Sequence, residues 1–220
     1  ADLAKINELG LPYWLAGAYA SPEKVEQARA AGAAGVQIGT LFALAHESGL
    51  LPALRGRLVA ELESETLVVR NDPRASPTGF PFKVAELGGT LADDEQYQAR
   101  ERICDLGYLR TPTERPDGSI SYRCASEPVH MYLRKGGDEA ETTGRKCLCN
   151  ALMANIGLGQ VRRSGYVEQP AVTLGQDLEG ARALLARHPA GWTARQAIDW
   201  LLGHEGRPAA NGRVLVAAGA

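Results

Sequence analysis

The chain has 220 residues, 45% of them hydrophobic and 23% charged, with a formal net charge of −2. That length allows one or two domains with a sizeable core, and that charge excludes a global field that gathers nucleic acid or an anionic membrane surface. No apolar run approaches the ~20 residues of a membrane helix, no signal-peptide pattern opens the chain, and its 4 cysteines are too few for a disulfide framework, so the expected setting is a reducing cytoplasm.

The chain opens on Ala1 rather than Met, and residues 1–10 read as the tail of a helix leading into a strand. The expectation is that further chain lies upstream. Residues 11–40 then read as strand, turn, helix, strand. The first apolar run stops at Gly17, as a buried strand does. Ser21 offers an N-cap, Pro22 suits the first helical position and Glu23 suits the positive end of the helix dipole. Val25, Ala28 and Ala31 recur at helical spacing, and Gly32 can close the helix in a left-handed conformation. A second apolar run, residues 34–38, ends at Gly39-Thr40. Such a βαβ unit carries parallel strands. Each strand ends in a glycine, which lets backbone approach a ligand closely. Thr40 adds a hydroxyl beside a helix start, where free N–H groups favour an anion. Neighbouring strand ends of this kind match the phosphate site of a (β/α)8 barrel, made by the loops after strands 7 and 8. The alternative is a βαβ unit whose glycines only make turns.

Residues 41–50 predict a short helix ended by Gly49, with His46 either facing the ligand turn or serving the surface. Residues 52–62 predict a second helix with Leu54, Leu58 and Leu62 on one face, and residues 66–70 a short strand. Residues 71–84 contain three prolines, Pro73, Pro77 and Pro81, and no helical period, as in a functional loop or a surface-wrapping linker. Residues 86–104 are polar and partly helical, with Glu95, Arg100, Glu101 and Arg102 expected on a solvated face. Pro116-Asp117-Gly118 is a turn signal between residues 108–110 and 120–123, so a hairpin is expected.

Cys104, Cys124, Cys147 and Cys149 all lie in this loop-rich part. Four thiolates can close a zinc site, but one C-x-C and two scattered cysteines are not the paired C-x2-C knuckles of a zinc ribbon. The expectation is buried free thiols, no metal, and less than one equivalent of zinc or iron. A helix follows over residues 147–156, ended by Gly157, with Arg145 and Lys146 before it expected to be solvated or to meet an anion. Two more helices are expected over residues 174–187 and 193–202. The second opens on the capping box Thr193-x-x-Gln196, with Ile198, Leu201 and Leu202 on its apolar face. Residues 207–220 are rich in small residues and expected to be mobile.

Several stretches together resemble the C-terminal half of the nitronate monooxygenase (2-nitropropane dioxygenase) family. They are Leu15-Ala16-Gly17-Ala18-Tyr19, Ala33-Ala34-Gly35-Val36-Gln37-Ile38-Gly39-Thr40 and Arg74-Ala75-Ser76-Pro77-Thr78-Gly79-Phe80-Pro81. To these add Tyr122-Arg123-Cys124, Glu127-Pro128-Val129 and Gly144-Arg145-Lys146-Cys147-Leu148-Cys149-Asn150. The resemblance covers most of residues 11–177. It implies an α/β fold: the last two βα units of a (β/α)8 TIM barrel in residues 1–70, then a loop-rich, mainly helical extension with the cysteine region in residues 71–220.

It also implies FMN as cofactor. Gly17 and Ala18 would bind its phosphate after strand 7, Gly39 and Thr40 after strand 8, and Gln37 would point to the barrel interior or the flavin mouth. Members often carry a second glycine where this chain has Ala18. The implied activity is oxidation of alkyl nitronates with O2. Six further βα units of roughly 30 residues would add on the order of 180 residues upstream. The family's catalytic histidine belongs there, since none of His46, His130, His188 and His204 matches its motif, and no catalytic residue is assigned. Alone, the chain is then expected to be inactive and to associate with the missing barrel half or with itself. The rival readings are an FMN-dependent enoyl reductase of the same barrel class and a non-catalytic half-barrel partner module.

Overall fold

The structure, a computed structural model, describes residues 2–204. The elements are α1 (Leu3–Glu8), β1 (Trp14–Ala16), α2 (Pro22–Ala30), β2 (Gly35–Gln37), α3 (Thr40–Ala43) and α4 (Pro52–Glu63). Then come β3 (Val69–Asp72), β4 (Phe82–Ala85), α5 (Asp94–Ala99), β5 (Thr111–Glu114), β6 (Ile120–Arg123) and α6 (Val129–Arg134). A 3-10 turn (Glu139–Thr142) leads to α7 (Leu148–Asn155), α8 (Glu179–Arg187) and α9 (Ala194–Leu201). The described strands form three two-stranded sheets, and no closed barrel forms among the described residues. No helix among them is long and apolar enough to cross a membrane. The mobility expected of residues 207–220 lies outside the described residues.

β1 and β2 are parallel, with Trp14 opposite Gly35 and Ala16 opposite Gln37, and α2 connects them. Ser21 caps α2 by accepting from the Lys24 N–H, and Pro22 sits in its first turn. Val25 and Ala28 turn inward, and Gly32 follows the helix at φ 91°. The first apolar run is not buried as expected: Leu11, before β1, is 69% exposed and Trp14, on it, 60%. The Trp14 ring lies over Gly35 in solvent, whereas Val36 and Ile38 pack on the core.

That core joins Leu41, Leu44, Leu54, Leu58 and Leu62 to Leu184, Trp192 and Trp200. The two last helices thus pack on the first third of the chain, α8 against α4 and α9 against α3. Trp192 anchors the junction: it is fully buried, and its indole N–H donates to the Leu41 carbonyl at 2.8 Å. A small second cluster holds Leu91, Ala151 and Ala171.

Several elements differ from the sequence expectation, each for a tertiary reason. α3 ends at Ala43 rather than near Gly49. The chain there is drawn toward α9: the His46 N–H donates to the Trp192 carbonyl and the Glu47 carboxylate caps Ala194. His46 itself is exposed, its ring bonded to Arg55. The proline-rich stretch is not a free loop, because its two ends pair as the antiparallel strands β3 and β4. The hairpin at Pro116-Asp117-Gly118 forms as β5 and β6. α9 has its capping box, but it buries Ala197, Trp200 and Leu201 and leaves Ile198 43% and Leu202 39% exposed. The face is turned so that the large indole goes inside.

Candidate functional site

The carboxyl ends of β1 and β2 open on a cleft of about 700 Å³. It brings together Gly17, Ala18, Gln37, Gly39 and Thr40, the five residues singled out in the sequence. Gly17 and Ala18 form a turn with two successive positive φ angles, 78° and 52°. The left-handed conformation costs a residue with a Cβ roughly 1–2 kcal/mol, so Ala18 stores local strain at the cleft wall. Gly39 has an ordinary φ of −105°. A Cβ built on Gly17 or Gly39 meets no atom within 4 Å. Both positions therefore have open space where a Cβ would stand.

α3 begins at Thr40, and its first turn supplies N–H groups with no intrahelical acceptor. The Thr40 side chain is buried and oriented: its Oγ1 accepts from the Gly175 N–H at 2.8 Å. That bond uses the acceptor side of the hydroxyl and leaves its hydrogen for a ligand. Gly175 has to be glycine for this approach, because a Cβ there would lie 2.9 Å from Thr40 Oγ1.

Two parts of the cleft were not singled out in the sequence. One is Lys83, on β4, which is half-buried and lines the cleft, and whose side chain makes no ion pair or hydrogen bond among the described residues. It closes the Phe80-Pro81-Phe82-Lys83 run, so its motif was legible while its direction was not. The other is residues 173–177, of which 174–177 were expected as the start of a helix. They are non-helical and line the cleft, with α8 starting only at Glu179. Asp177 accepts from the Glu179 N–H at 3.0 Å and from Lys24 Nζ at 2.9 Å. Burial opposes its ionisation, but the Lys24 bond, the Glu179 N–H and the Lys24 charge outweigh that and hold its carboxyl below the usual range. With Asp177 neutralised by Lys24, Lys83 is a cation left to face an anion in the cleft.

Arg145 is half-buried and Lys146 buried, and neither lines the cleft. Arg145 donates to the carbonyls of Ser76 at 2.6 Å and Arg74 at 3.2 Å, pinning the proline-rich turn. Lys146 is buried, donates to the Leu91 carbonyl at 2.5 Å and lies 4.6 Å from the Tyr97 ring centroid; burial lowers its pKa. Arg100 is not on a solvated face either: it is buried against Glu168 through bonds of 2.7 and 2.9 Å.

Comparison with protein-family models, with curated proteins and with solved structures found no match in any of the three.

Proposed function

We propose that this chain carries the last two βα units of an FMN-binding (β/α)8 barrel in residues 1–70, with residues 71–220 as a loop-rich, mainly helical extension. In this reading the complete protein is a nitronate monooxygenase, oxidising alkyl nitronates with O2. One observation carries it: two parallel strand ends and a buried, oriented threonine hydroxyl converge on one cleft. A phosphate dianion needs several converging N–H donors at short range, and helix starts and glycine turns supply them. The fit is good. The backbone at Gly17 and Gly39 is open to the cleft, Thr40 has a hydrogen to donate, and Lys83 adds a positive charge. The volume lies in the usual range for ligand sites.

FMN, when bound, supplies the redox chemistry. This chain's own residues bind and orient it. The turns at Gly17-Ala18 and Gly39-Thr40 hold the phosphate, Lys83 neutralises part of its charge, and Gln37 stands beside the strand end toward the mouth. The exposed Trp14 on β1 and Leu11 just before it support a partner that adds further barrel strands to this pair. The proposed partners are thus a nitronate, O2 and the remaining barrel strands, in the cytoplasm.

The test is an assay of the protein with its barrel complete. Oxygen uptake with an alkyl nitronate and no nicotinamide is the expected result. Consumption of NAD(P)H with an enoyl thioester, and none of oxygen with a nitronate, would assign the enoyl reductase instead.

A further inference from the structure

The Thr40 hydroxyl takes its hydrogen bond from Gly175, a residue 135 positions away along the chain. Gly175 lies in a non-helical strap, residues 172–178, that leads into α8. The strap is fixed along its length. Val172, Leu174 and Leu178 are buried in the main core, while Thr173 and Gln176 between them are exposed and line the cleft. The Ala85 N–H at the end of β4 donates to the Val172 carbonyl at 2.9 Å. At the other end Lys24 on α2 donates to Asp177 at 2.9 Å. Three apolar anchors and two bonds leave the strap little freedom to drift from the cleft.

The φ of Gly175 lies outside the left-handed region, so the position does not need glycine for its conformation. It needs glycine for space. A Cβ there would lie 2.9 Å from Thr40 Oγ1, and its other neighbour is the Asp177 carbonyl oxygen at an ordinary 3.8 Å. The close approach serves the N–H bond of 2.8 Å to the same oxygen. A hydroxyl carries one hydrogen and two lone pairs, and its hydrogen turns to suit its partners. Accepting from Gly175 holds the oxygen in one rotamer and occupies one lone pair. Thr40 is buried, and its hydroxyl hydrogen meets no acceptor among the described residues. A buried donor left without an acceptor is costly, and an anion in the cleft supplies one.

We propose that Gly175 is a positioning residue for phosphate recognition: its N–H fixes the Thr40 hydroxyl so that the hydroxyl donates to an anionic oxygen in the cleft. This rests on the reading of the cleft as the FMN phosphate site. A donor set in place before the ligand arrives costs less ordering on binding than one that must be caught. The strap acts at the phosphate end of the flavin and not at its ring. Through Gly175 the extension therefore sets which flavin the site retains: one with a terminal phosphate gains from the fixed hydroxyl, and riboflavin does not.

The experiment is fluorescence titration of FMN and riboflavin into the barrel-complete protein and its Gly175→Ala, Thr40→Ala, Thr40→Ser and Gly175→Ala/Thr40→Ala variants. The new Cβ of Gly175→Ala strikes a hydroxyl that can turn away, so the variant is expected to fold with that hydroxyl misdirected. It should bind FMN roughly tenfold more weakly, the lower end for losing a hydrogen bond to a charged group, and riboflavin as before. With Thr40→Ala there is no hydroxyl left to aim, so adding Gly175→Ala should weaken FMN no further. Thr40→Ser keeps the oxygen that Gly175 holds and should bind FMN about as the parent does, a result that tests the inference even where Gly175→Ala does not fold. Four results would each overturn the inference and leave the phosphate reading standing, given a weakened Thr40→Ala. They are parent-like FMN binding by Gly175→Ala, losses that simply add in the double variant, an equal loss of riboflavin, and a Thr40→Ser as weak as Thr40→Ala. If Thr40→Ala itself binds FMN as the parent does, the phosphate reading fails and this inference fails with it.

Discussion

A Cβ built on Gly180 would lie 1.9 Å from the carbonyl oxygen of Ala20. That carbonyl is backbone, so the turn after β1 and the first turn of α8 would have to part. Gly180→Ala is expected to cost about 1–3 kcal/mol, the range for forced overpacking, read as a lower urea midpoint. Gly56 is the control: it is exposed within α4, and a Cβ there meets nothing within 4 Å. Gly56→Ala is expected to stabilise by about 1 kcal/mol, because alanine is the better helix former. At this scale the cleft was largely legible. Gly17, Gly39 and Thr40 stood at the ends of the two strand patterns, so their meeting at one cleft could be read from the βαβ order. Gly180 and Gly175 were not legible, because a close approach between residues more than a hundred positions apart leaves no local pattern, and Lys83 was not, because the sequence does not show which way its side chain turns.

Among the elements, Arg100 at the end of α5 and Lys146 before α7 were misread for one reason: charge was taken as a sign of solvent, which holds for Glu95 and Glu101, both exposed. Arg100 is 8% exposed and Glu168 2%, and their paired bonds tie the end of α5 to the chain after α7. Arg162 pairs with the same carboxylate. Arg100→Leu leaves Glu168 buried with one partner fewer. The expected loss is about 3 kcal/mol, the lower end for breaking a buried pair, measured by denaturant unfolding. Arg100→Leu combined with Glu168→Leu should recover part of it. Asp177 gives a pH test. Its carboxyl is held below the ordinary value of about 3.9, so its contribution is complete above that pH and fades as pH falls through the lower folded value. Asp177→Asn is therefore expected to be less stable than the parent at neutral pH and to converge with it in acid, as followed by thermal melts. A constant gap down to pH 2 would show that the carboxylate charge is not what matters.

For the whole molecule, two short parallel strands have open edges, and the apolar face of β1 carries Trp14 in solvent. Such an edge invites pairing with another chain. Expressed alone, the chain is expected to self-associate in sedimentation velocity, and Trp14→Lys to reduce that association. A clean monomer with a sharp cooperative melt would contradict the half-barrel reading. The βαβ order was legible from the run of caps and glycines. What the strands pair with was not, since a strand pattern names no partner.

The phosphate site is tested most directly by fluorescence titration of FMN and riboflavin into the barrel-complete protein and its Thr40→Val and Gly39→Val variants. A hydrogen bond to a charged group contributes about 1.5–3 kcal/mol, so Thr40→Val should weaken FMN by roughly ten- to a hundredfold. Gly39→Val should weaken it more, because a branched side chain at this cleft-lining position takes space a phosphate would need, and the open space around its Cβ lets the variant fold. Riboflavin, which has no phosphate, should be affected far less by either change. If Gly39→Val binds FMN as tightly as the parent does, the phosphate does not sit at these strand ends, and the βαβ unit is structural only.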